Sequence, residues 1–426
     1  MSDDNNSSFI THHSPLIPRL RFPEFREAGE WEEKRIENVC EKPFSGGTPI
    51  TTNKSYYGGK IPFIRSAEIG SDSTDLFITE EGLKNSSAKI VKKGDVLVAL
   101  YGANSGDVEL NKIEGAINQA VLCLRSKESN EFLCQYLTYK KIDITTKYLQ
   151  GGQGNLSGDI IKSIELLFPK SGEQQKIADC LSSIDALITA HSQKLDALKA
   201  HKKGLMQQLF PREGETVPRL RFPEFREAGE WDMEYLGALS KILRGGSPRP
   251  IDNYLTSDAD GLNWLKIGDV DKESKFITDT TEKVKRTALA KTREVNPGDL
   301  IMSNSMSFGR PYILKIKSCI HDGWIAVTEI KKTIDSDYLY YLILSNSSQL
   351  YFLNAAAGGG IKNLNVDIIK LLPVAYPGKN EQQKIANCLA SIDALITAQG
   401  KKIDALKAHK KGLMQQLFPV LDEERG

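Results

Sequence analysis

The chain has 426 residues, of which 40% are hydrophobic and 26% are charged, and its formal net charge is +1. This composition is typical of a soluble globular protein, and the length allows two or three domains. The near-neutral charge argues against binding to nucleic acid by bulk electrostatics alone, because neutralising phosphates requires an excess of Lys and Arg. A nucleic-acid-binding protein of this charge either concentrates its basic groups on one face or takes charge from a partner subunit.

A flexible N-terminal tail is predicted over residues 1–16. The first residues, MSDDNNSSFITHHSP, lack the charged start and apolar stretch of a secretory signal, and no run of about 18 apolar residues occurs in the chain. The six cysteines and six histidines form neither a CxxC pair nor an HExxH motif. We therefore expect a cytoplasmic protein with reduced thiols, no membrane segment and no metal site.

A first domain is predicted over residues 17–171. It begins with the segment PRLRFPEFREAGEW at 18–31, which recurs unchanged at 218–231 and is called the short repeat below. β-Branched runs between Gly and Pro turns predict strands, and residues 131–141 predict a helix. The domain is therefore predicted to be mixed α+β and built mostly from a curved sheet.

A central helix is predicted over residues 172–211, and Pro169 and Pro211 flank it. Its apolar residues follow an alternating 4,3 spacing, which is the heptad seam of a coiled coil. His191 and Lys202 interrupt this seam. The predicted seam consists of Ile177, Leu181, Ile184, Ile188, Leu195, Leu198, Leu205 and Leu209.

The same order then repeats. Residues 173–211, called the long repeat below, return as residues 381–419 with 33 of 39 positions identical. We predict a second domain over 212–379 with a helix over 337–347, a C-terminal helix over 380–419 and a tail over 420–426. The second seam consists of Ile385, Leu389, Ile392, Ile396, Ile403, Leu406, Leu413 and Leu417.

The two helices need partners for their apolar stripes. A helix of about 37 residues is about 55 Å long, and a stripe of that length must be covered along its whole extent. We predict that the two copies pair antiparallel within one chain, with an internal pseudo-twofold arrangement; the alternative is pairing between chains. Lys202 and its counterpart Lys410 either set the register of the pair or extend toward solvent at its edge.

The outer faces of the two helices are nearly identical in sequence. They are either solvated surface or two equal docking surfaces for two copies of one partner. On the first helix these faces carry Gln174, Gln175, Lys199, His201, Gln207 and Gln208.

The two domains share weak similarity in the same order, which predicts one fold with different surfaces. For example, SGGTP at 45–49 matches RGGSP at 244–248. Loops on a rigid sheet are common recognition sites, and cationic and amide side chains there suit phosphates and base edges. The alternative is that the Gly and Asn residues only form turns. The candidates for nucleic-acid contact are Ser45, Gly46, Gly47, Thr48, Arg65, Tyr101, Asn104, Ser105, Gln150, Gln153, Asn155, Arg244, Gly245, Gly246, Ser247, Arg249, Lys266, Asn304, Ser305, Arg310, Asn363 and Asn365.

The sequence carries no recognisable catalytic motif. It has no GxxxxGK[ST] loop, no GxGxxG after a strand, no Asn-Pro-Pro-aromatic tetrapeptide and no nucleophile elbow. We therefore expect no catalytic residue, bound metal or cofactor in this chain. Any catalysis by a complex that contains it belongs to other chains.

The two helix starts carry a family resemblance. PKSGEQQKIADCLSSID at 169–185 and PGKNEQQKIANCLASID at 377–393, each after a variable domain, resemble the specificity (S) subunit of type I restriction-modification systems. The likeness covers residues 17–419. It implies an α+β fold with two target recognition domains separated by two long antiparallel helices. It also implies that each domain recognises one half of a bipartite asymmetric DNA target and that the helices set the spacer.

The resemblance further implies the partners. They are double-stranded DNA, two modification (M) subunits docked on the helices, and two restriction (R) subunits that join for cleavage. S-Adenosylmethionine, ATP and Mg are then expected on partner subunits. A rival interpretation is a non-DNA interaction scaffold that presents two recognition domains on a coiled coil, and a third is a self-sufficient nuclease.

Overall fold

A computed structural model describes residues 16–149, 155–271, 274–304, 309–357 and 364–419. The chain divides into two compact units, with residues 1–192 and 401–426 in unit 1 and residues 193–400 in unit 2. Each unit therefore contains one variable domain and part of each long helix. Among the described helices, none has the length and apolar character needed to cross a membrane.

The variable domain of unit 1 contains two four-stranded sheets and a two-stranded ribbon. The strand orders are β2-β9-β6-β7 and β4-β3-β8-β5, and the ribbon pairs β1 with β10. The elements up to the first long helix are β1 (Glu32–Arg35), α1 (Ile36–Val39), β2 (Phe44–Ser45), β3 (Tyr57–Ile64), β4 (Phe77–Ile78), α2 (Glu80–Lys84), β5 (Lys89–Val91), β6 (Val96–Ala99), β7 (Val108–Leu110), β8 (Gly115–Ile117), β9 (Val121–Leu124), α3 (Asn130–Leu149), α4 (Gly158–Ser163), β10 (Glu165–Phe168) and α5 (Ser171–Leu209).

Unit 2 has two five-stranded sheets and a matching ribbon. The strand orders are β12-β21-β18-β19-β15 and β13-β16-β14-β20-β17, and the ribbon pairs β11 with β22. Its elements are β11 (Asp232–Tyr235), α6 (Leu236–Leu239), β12 (Lys241–Arg244), β13 (Leu255–Thr256), β14 (Leu262–Leu265), β15 (Phe276–Ile277), β16 (Glu282–Val284), β17 (Arg293–Val295), β18 (Leu300–Ser303), β19 (Pro311–Leu314), β20 (Ser318–Ile320), β21 (Trp324–Thr328), α7 (Ser336–Leu344), α8 (Asn346–Ala357), α9 (Val366–Lys370), β22 (Pro373–Tyr376) and α10 (Lys379–Leu417).

The two domains have the same fold, and the structure corrects two details of it. Each domain is built from two sheets rather than one curved sheet. The helix predicted over 131–141 extends to Leu149, whereas the helix predicted over 337–347 is interrupted at Ser345, where α7 ends and α8 begins. Ser345 has extended backbone angles and its hydroxyl accepts a hydrogen bond from the Ser348 amide (3.4 Å). Ser favours such helix boundaries because its hydroxyl competes for backbone partners.

A Gly-Asp turn precedes a fully buried strand in each domain. Gly94 and Gly298 have φ values of 90° and 94°, a backbone conformation that glycine adopts without steric cost. The following aspartates accept hydrogen bonds from backbone amides three residues earlier, at 2.8 Å for both Asp95 and Asp299. These turns set where β6 and β18 enter the core.

The long helices α5 and α10 run antiparallel within each unit. In unit 1 the Lys410 ammonium pairs with the Asp185 carboxylate at 2.7 Å, and in unit 2 Lys202 pairs with Asp393 at 2.5 Å. Further toward the end of α10, Leu417 enters the same hydrophobic cluster as Ile177 near the start of α5. Both lysines therefore bind a carboxylate on the neighbouring helix segment rather than extending into solvent.

The predicted seam residues lie on the packed faces of these helices. All of them are buried or half-buried. The end of each long repeat also enters a domain core: Phe418 stacks on Tyr136 at 4.4 Å between ring centroids, and Phe210 contacts Tyr338 at 5.6 Å. The helix pair and the domain of each unit thus share one core.

Buried ion pairs join the short repeat to the long repeat. The Arg21 guanidinium donates to both carboxylate oxygens of Glu173 at 2.7 Å, and Arg221 makes the same contacts with Glu381 at 2.8 and 2.7 Å. The Arg21 and Glu173 side chains are only 7% and 1% exposed. In addition, the Leu20 amide donates to a carbonyl at the end of α10. The short repeat therefore binds the start of one long helix and the end of the other.

The structure contradicts one predicted surface residue. Gln174 was expected on an outer, accessible face, but it is 3% exposed. Its amide nitrogen donates to the Pro169 carbonyl oxygen at 2.9 Å, and the equivalent Gln382 donates to Pro377 at 2.8 Å. The prediction is wrong because the side chain folds back onto the segment before the helix and hydrogen-bonds to it instead of facing solvent.

Removing the carboxylate of Glu173 is expected to destabilise the protein strongly. Glu173→Ala leaves the Arg21 guanidinium buried without its partner, and breaking a buried ion pair in this way costs about 3–5 kcal/mol. The midpoint of urea unfolding measures the loss. Glu27→Ala is the matched control, because Glu27 is an exposed glutamate of the same short repeat, and its effect is expected to stay within about 0.5 kcal/mol. Equal midpoints for the two variants would contradict the assigned role.

Candidate nucleic-acid interface

Two loops come together in each unit because glycine allows a close backbone approach. In unit 1, the Gly46 amide donates to the Asn118 carbonyl oxygen at 3.2 Å, and a Cβ atom on Gly46 would lie 1.8 Å from the Ile117 carbonyl oxygen. In unit 2, a Cβ atom on Gly245 would lie 2.1 Å from the His321 carbonyl oxygen. Only glycine fits these positions. We call the two loops of each unit its loop pair: residues 45–50 with 118–120 in unit 1, and residues 244–250 with 321–323 in unit 2.

The neighbouring candidates also contribute to packing. Ser45 ends β2 and pairs with β9. A Cβ atom on Gly47 would lie 2.6 Å from the Ser87 side chain, and one on Gly246 would lie 2.5 Å from the Lys291 carbonyl oxygen. The Gly-Gly sequences therefore position the loops, and the side chains that follow them project from the loop pairs.

A hydroxyl group bridges the two loops at the same position in each unit. In unit 1 the Thr48 hydroxyl donates to Gln119 Oε1 at 2.7 Å. In unit 2 the Ser247 hydroxyl donates to Asp322 Oδ1 at 2.9 Å. The bridge is common to both units, but the side chain that accepts it is an amide in one and a carboxylate in the other.

Asp322 brings cationic and amide side chains together in unit 2. Its backbone carbonyl oxygen accepts from Arg244 Nε at 3.2 Å and from Asn304 Nδ2 at 3.3 Å, and its carboxylate lies 3.6 Å from Arg249 Nη2. The Arg249 side chain is 82% exposed. The loop pair of unit 2 therefore presents an exposed guanidinium group beside a carboxylate.

Electrostatics keep the Asp322 carboxylate ionised. Partial burial raises the pKa of Asp322, but the Ser247 hydrogen bond and the charges of His321, Arg249 and Arg244 lower it below its ordinary value. His321 also packs against Trp264, with 6.0 Å between ring centroids. The ionised carboxylate therefore attracts the neighbouring cations and accepts the Ser247 hydrogen bond.

Arg65 and Lys266 occupy equivalent positions after β3 and β14, and both are already paired. Arg65 donates to both carboxylate oxygens of Glu68, at 3.0 and 2.7 Å, and Lys266 lies 2.7 Å from Glu282. The Arg65 guanidinium lowers the pKa of Glu68 to about 2. To bind a phosphate, each cation must therefore lose part of its contact with its carboxylate partner.

A third loop follows β6 in unit 1. Tyr101 is 37% exposed, and Asn104 is half-buried with its carbonyl oxygen accepting from the Asp107 amide at 2.9 Å. The Ser105 hydroxyl donates to the Leu100 carbonyl oxygen at 2.9 Å. Ser105 therefore shapes the loop, whereas Tyr101 is accessible to a ligand.

The segments before α4 and α9 attach to this loop and to its counterpart. The Leu156 amide donates to the Leu100 carbonyl oxygen at 3.0 Å, which places exposed Asn155 beside the loop. In unit 2 the Leu364 amide donates to the Asn304 carbonyl oxygen at 3.0 Å. Both contacts join the residue two positions before a helix, α4 or α9, to the residue that directly follows an equivalent strand, β6 in unit 1 and β18 in unit 2.

Two remaining candidates have structural contacts. Asn365 is the N-cap of α9, and its side-chain oxygen accepts from the Ile368 amide at 2.9 Å. The Arg310 guanidinium lies over the Tyr312 ring at 5.6 Å and donates to the Ser274 carbonyl oxygen at 3.4 Å. Four candidates lie outside the described residues: Gln150, Gln153, Ser305 and Asn363.

The sequence analysis missed Gln119, His321 and Asp322. They lie in short turns without a Gly-Gly or Gly-rich signature, and only the pairing of β2 with β9 and of β12 with β21 brings them to the candidate loops. A usable signal was the weak similarity of GAINQAVLCL at 115–124 to SCIHDGWIAV at 318–327. Within the described residues, no group of three or more His, Cys, Asp or Glu side chains is arranged to hold a metal ion.

A family model matches both halves of the chain. The model of the type I restriction modification DNA specificity domain matches residues 28–200 and 229–408. The chain therefore belongs to this family and is a DNA specificity subunit of a type I restriction-modification system, as the resemblance of its helix starts indicated.

Similar proteins include two from Methanocaldococcus jannaschii. The putative type I restriction enzyme MjaX specificity subunit is 25% identical over 91% of this chain and 93% of its own length. The type I restriction enzyme MjaVIII specificity subunit is 23% identical over 94% of this chain and 93% of its own length. The chain is thus similar to these subunits over nearly their full length.

Solved structures show the same fold. The type I restriction-modification S subunit from M. genitalium matches with a TM-score of 0.59 and 16% identity, over 95% of this chain and all of that chain. A second solved structure concerns complex assembly and conformational transition of the type I R-M system. One of its chains matches with a TM-score of 0.58 and 16% identity, over 91% of this chain and 97% of that chain. The predicted two-domain α+β architecture with long helices is confirmed.

Replacing Arg65 is expected to change the titration of Glu68. With the guanidinium in place the pKa of Glu68 is about 2, so its stabilising contribution is present above about pH 4.5 and is lost as the pH falls toward 2. Arg65→Ala should raise this pKa toward 4.5, as measured by NMR titration of the side-chain carboxyl carbon. Lys112→Ala is the control, because Lys112 lies near Asp72 (3.8 Å) instead. An unchanged Glu68 titration in Arg65→Ala would refute the pairing.

Proposed function

We propose that each variable domain recognises one half of a bipartite, asymmetric DNA target and that the two long helices set the spacer between the halves. The observation that carries this proposal is the combination of one repeated frame with different side chains at equivalent loop positions. Gln119 and Asp322 accept hydrogen bonds from hydroxyl groups at equivalent positions, Thr48 and Ser247, yet they differ in charge and in the donors and acceptors that they offer. Equal folds with unequal recognition groups suit a target with two unlike halves.

We further propose that the outer faces of the helices dock two M subunits. Leu187 on α5 and its counterpart Leu395 on α10 are 49% and 54% exposed, so each helix presents a large apolar side chain to solvent at the same position of the repeat. Lys199 and Gln207 are exposed on the first copy as well. Two nearly identical surfaces with matched exposure favour two copies of one partner.

Catalysis is assigned to the partners. In this proposal the chain itself is non-catalytic, the M subunits bind S-adenosylmethionine, and two R subunits supply ATP- and Mg-dependent cleavage. The complex acts on DNA in the cytoplasm. The near-neutral net charge of this chain supports shared binding, because a subunit that gripped DNA alone would carry more cations.

Binding measurements separate this function from that of a non-DNA scaffold. The chain assembled with its M subunits is expected to bind duplex DNA with an affinity that falls linearly with salt on logarithmic axes, since phosphate contacts release counterions. Fluorescence anisotropy between 50 and 200 mM salt, roughly the range over which such losses are large, measures the slope. The chain without M subunits is the control and should bind more weakly. Absence of duplex binding by the assembled complex would favour the scaffold.

Lengthening both helices tests the spacer. Duplicating residues 186–192 and 394–400 in place keeps both seams in phase and adds about 10 Å to each helix at about 1.5 Å per residue. Because about 10 base pairs span about 34 Å, the methylated motif should gain about three base pairs in its spacer. Methylation mapping in cells that carry the complex provides the readout.

The matched control inserts the same seven residues in the tail, after Ser14. Its spacer is expected to stay at the original length. A helix-lengthened complex that still methylates with the original spacer would show that the helices do not set it.

A further inference from the structure

The two loop pairs share their framework and differ at their tips. Both are held by glycine contacts and by a hydroxyl bridge at positions 48 and 247. At the tips, Ile50 of unit 1 stands where unit 2 has Arg249; at the strand ends, Ser45 of β2 stands where β12 has Arg244. The loop pair of unit 2 thus has two guanidinium groups at positions where that of unit 1 has none.

The loop pair of unit 2 has the chemistry of a guanine contact. One end of the Arg249 guanidinium faces the Asp322 carboxylate at 3.6 Å, while the side chain as a whole is 82% exposed. A guanidinium has five N–H donors, so one that is held at one end still offers a pair of donors at the other. Two parallel donors match O6 and N7 of guanine in the major groove.

The loop pair of unit 1 instead has the chemistry of an A·T contact. Gln119 is exposed, and its Oε1 is held by the Thr48 hydroxyl at 2.7 Å, which orients the amide plane. A Gln amide donates to N7 and accepts from N6 of adenine, because an amide oxygen has two lone pairs. Ile50, two residues after Thr48 in the same loop pair, is 62% exposed, and an apolar side chain at a major-groove contact favours the thymine methyl group.

We propose that these tips determine the base composition of the two half-sites: Arg249, positioned by Asp322, selects a G·C pair in the half-site of unit 2, and Gln119, positioned by Thr48, selects an A·T pair in the half-site of unit 1. This inference rests on the proposed half-site function. Arg249 and Gln119 contact the bases, whereas Asp322 and Thr48 are positioning residues.

Methylation mapping of the full chain expressed with its partner subunits tests the inference. In Arg249→Ile, which installs the residue of unit 1, one position of the unit 2 half-site is expected to lose its preference for G·C, and the other half-site stays unchanged. Gln119→Ala should relax one A·T position of the unit 1 half-site alone. Competition binding should show a roughly 5-fold to 150-fold fall in discrimination at that position.

The positioning residue has its own signature. Asp322→Asn keeps an acceptor for Ser247 but loses the charge that faces Arg249, so it should relax the same G·C position and no other. Asp322→Glu should retain the preference. Arg286→Ala is the matched control, since Arg286 is an exposed arginine of unit 2 outside the loop pair, and it should leave the motif intact.

The outcomes separate the two levels of the proposal. A wild-type complex without a bipartite motif would overturn the half-site function itself. A bipartite motif that stays identical in Arg249→Ile and in Gln119→Ala would overturn the assignment of these residues while leaving the function standing. Co-purification of each variant with the M subunits verifies that the variant has folded.

Discussion

A buried guanidinium–carboxylate pair in each unit constrains the rest of the structure. Arg21 and Glu173, like Arg221 and Glu381, are nearly inaccessible to solvent and bind each other through two hydrogen bonds. A buried charge without its partner is strongly unfavourable, so neither member can change alone. This requirement accounts for the arginine and the glutamate that both copies carry at these positions, which are far apart in sequence but adjacent in each unit.

Around this ion pair, the short repeat, the helix segments and the domain core form one continuous frame. The helix ends enter the domain cores through Phe418 and Phe210, and the lysine–aspartate pairs set the register of α5 and α10 within each unit. The tips of the loop pairs can vary independently of this frame, because glycine and a hydroxyl bridge hold the loops whatever side chains project from them.

The charge distribution follows the same division. Arg65 and Lys266, cations expected to meet phosphates, are bound to Glu68 and Glu282, and Arg125 is bound to buried Asp95. Such pairs remove net charge from the surface and reduce non-specific attraction to DNA. Arg249 differs from them because its guanidinium lies 3.6 Å from the Asp322 carboxylate, farther than in those pairs, and because 82% of the side chain is exposed. Selectivity in this chain is thus expected from a few oriented groups and not from overall charge.

The sequence by itself determined the duplicated organisation, the heptad spacing of the two long helices and the membership of the family. These features are encoded locally, by the order of short segments or by spacing along one helix, so they can be predicted without knowing the fold. The resemblance at the helix starts was equally local, and the family match confirmed it.

Only the tertiary structure decided which residues meet. It buried Gln174, interrupted a predicted helix at Ser345, and paired Lys410 with Asp185. It also brought Gln119 and Asp322 to the candidate loops through strand pairing. The pairs Lys410–Asp185, Thr48–Gln119 and Ser247–Asp322 join residues that are 71 to 225 positions apart. No local pattern specifies such contacts, because they depend on how sheets and helices pack once all of them have formed.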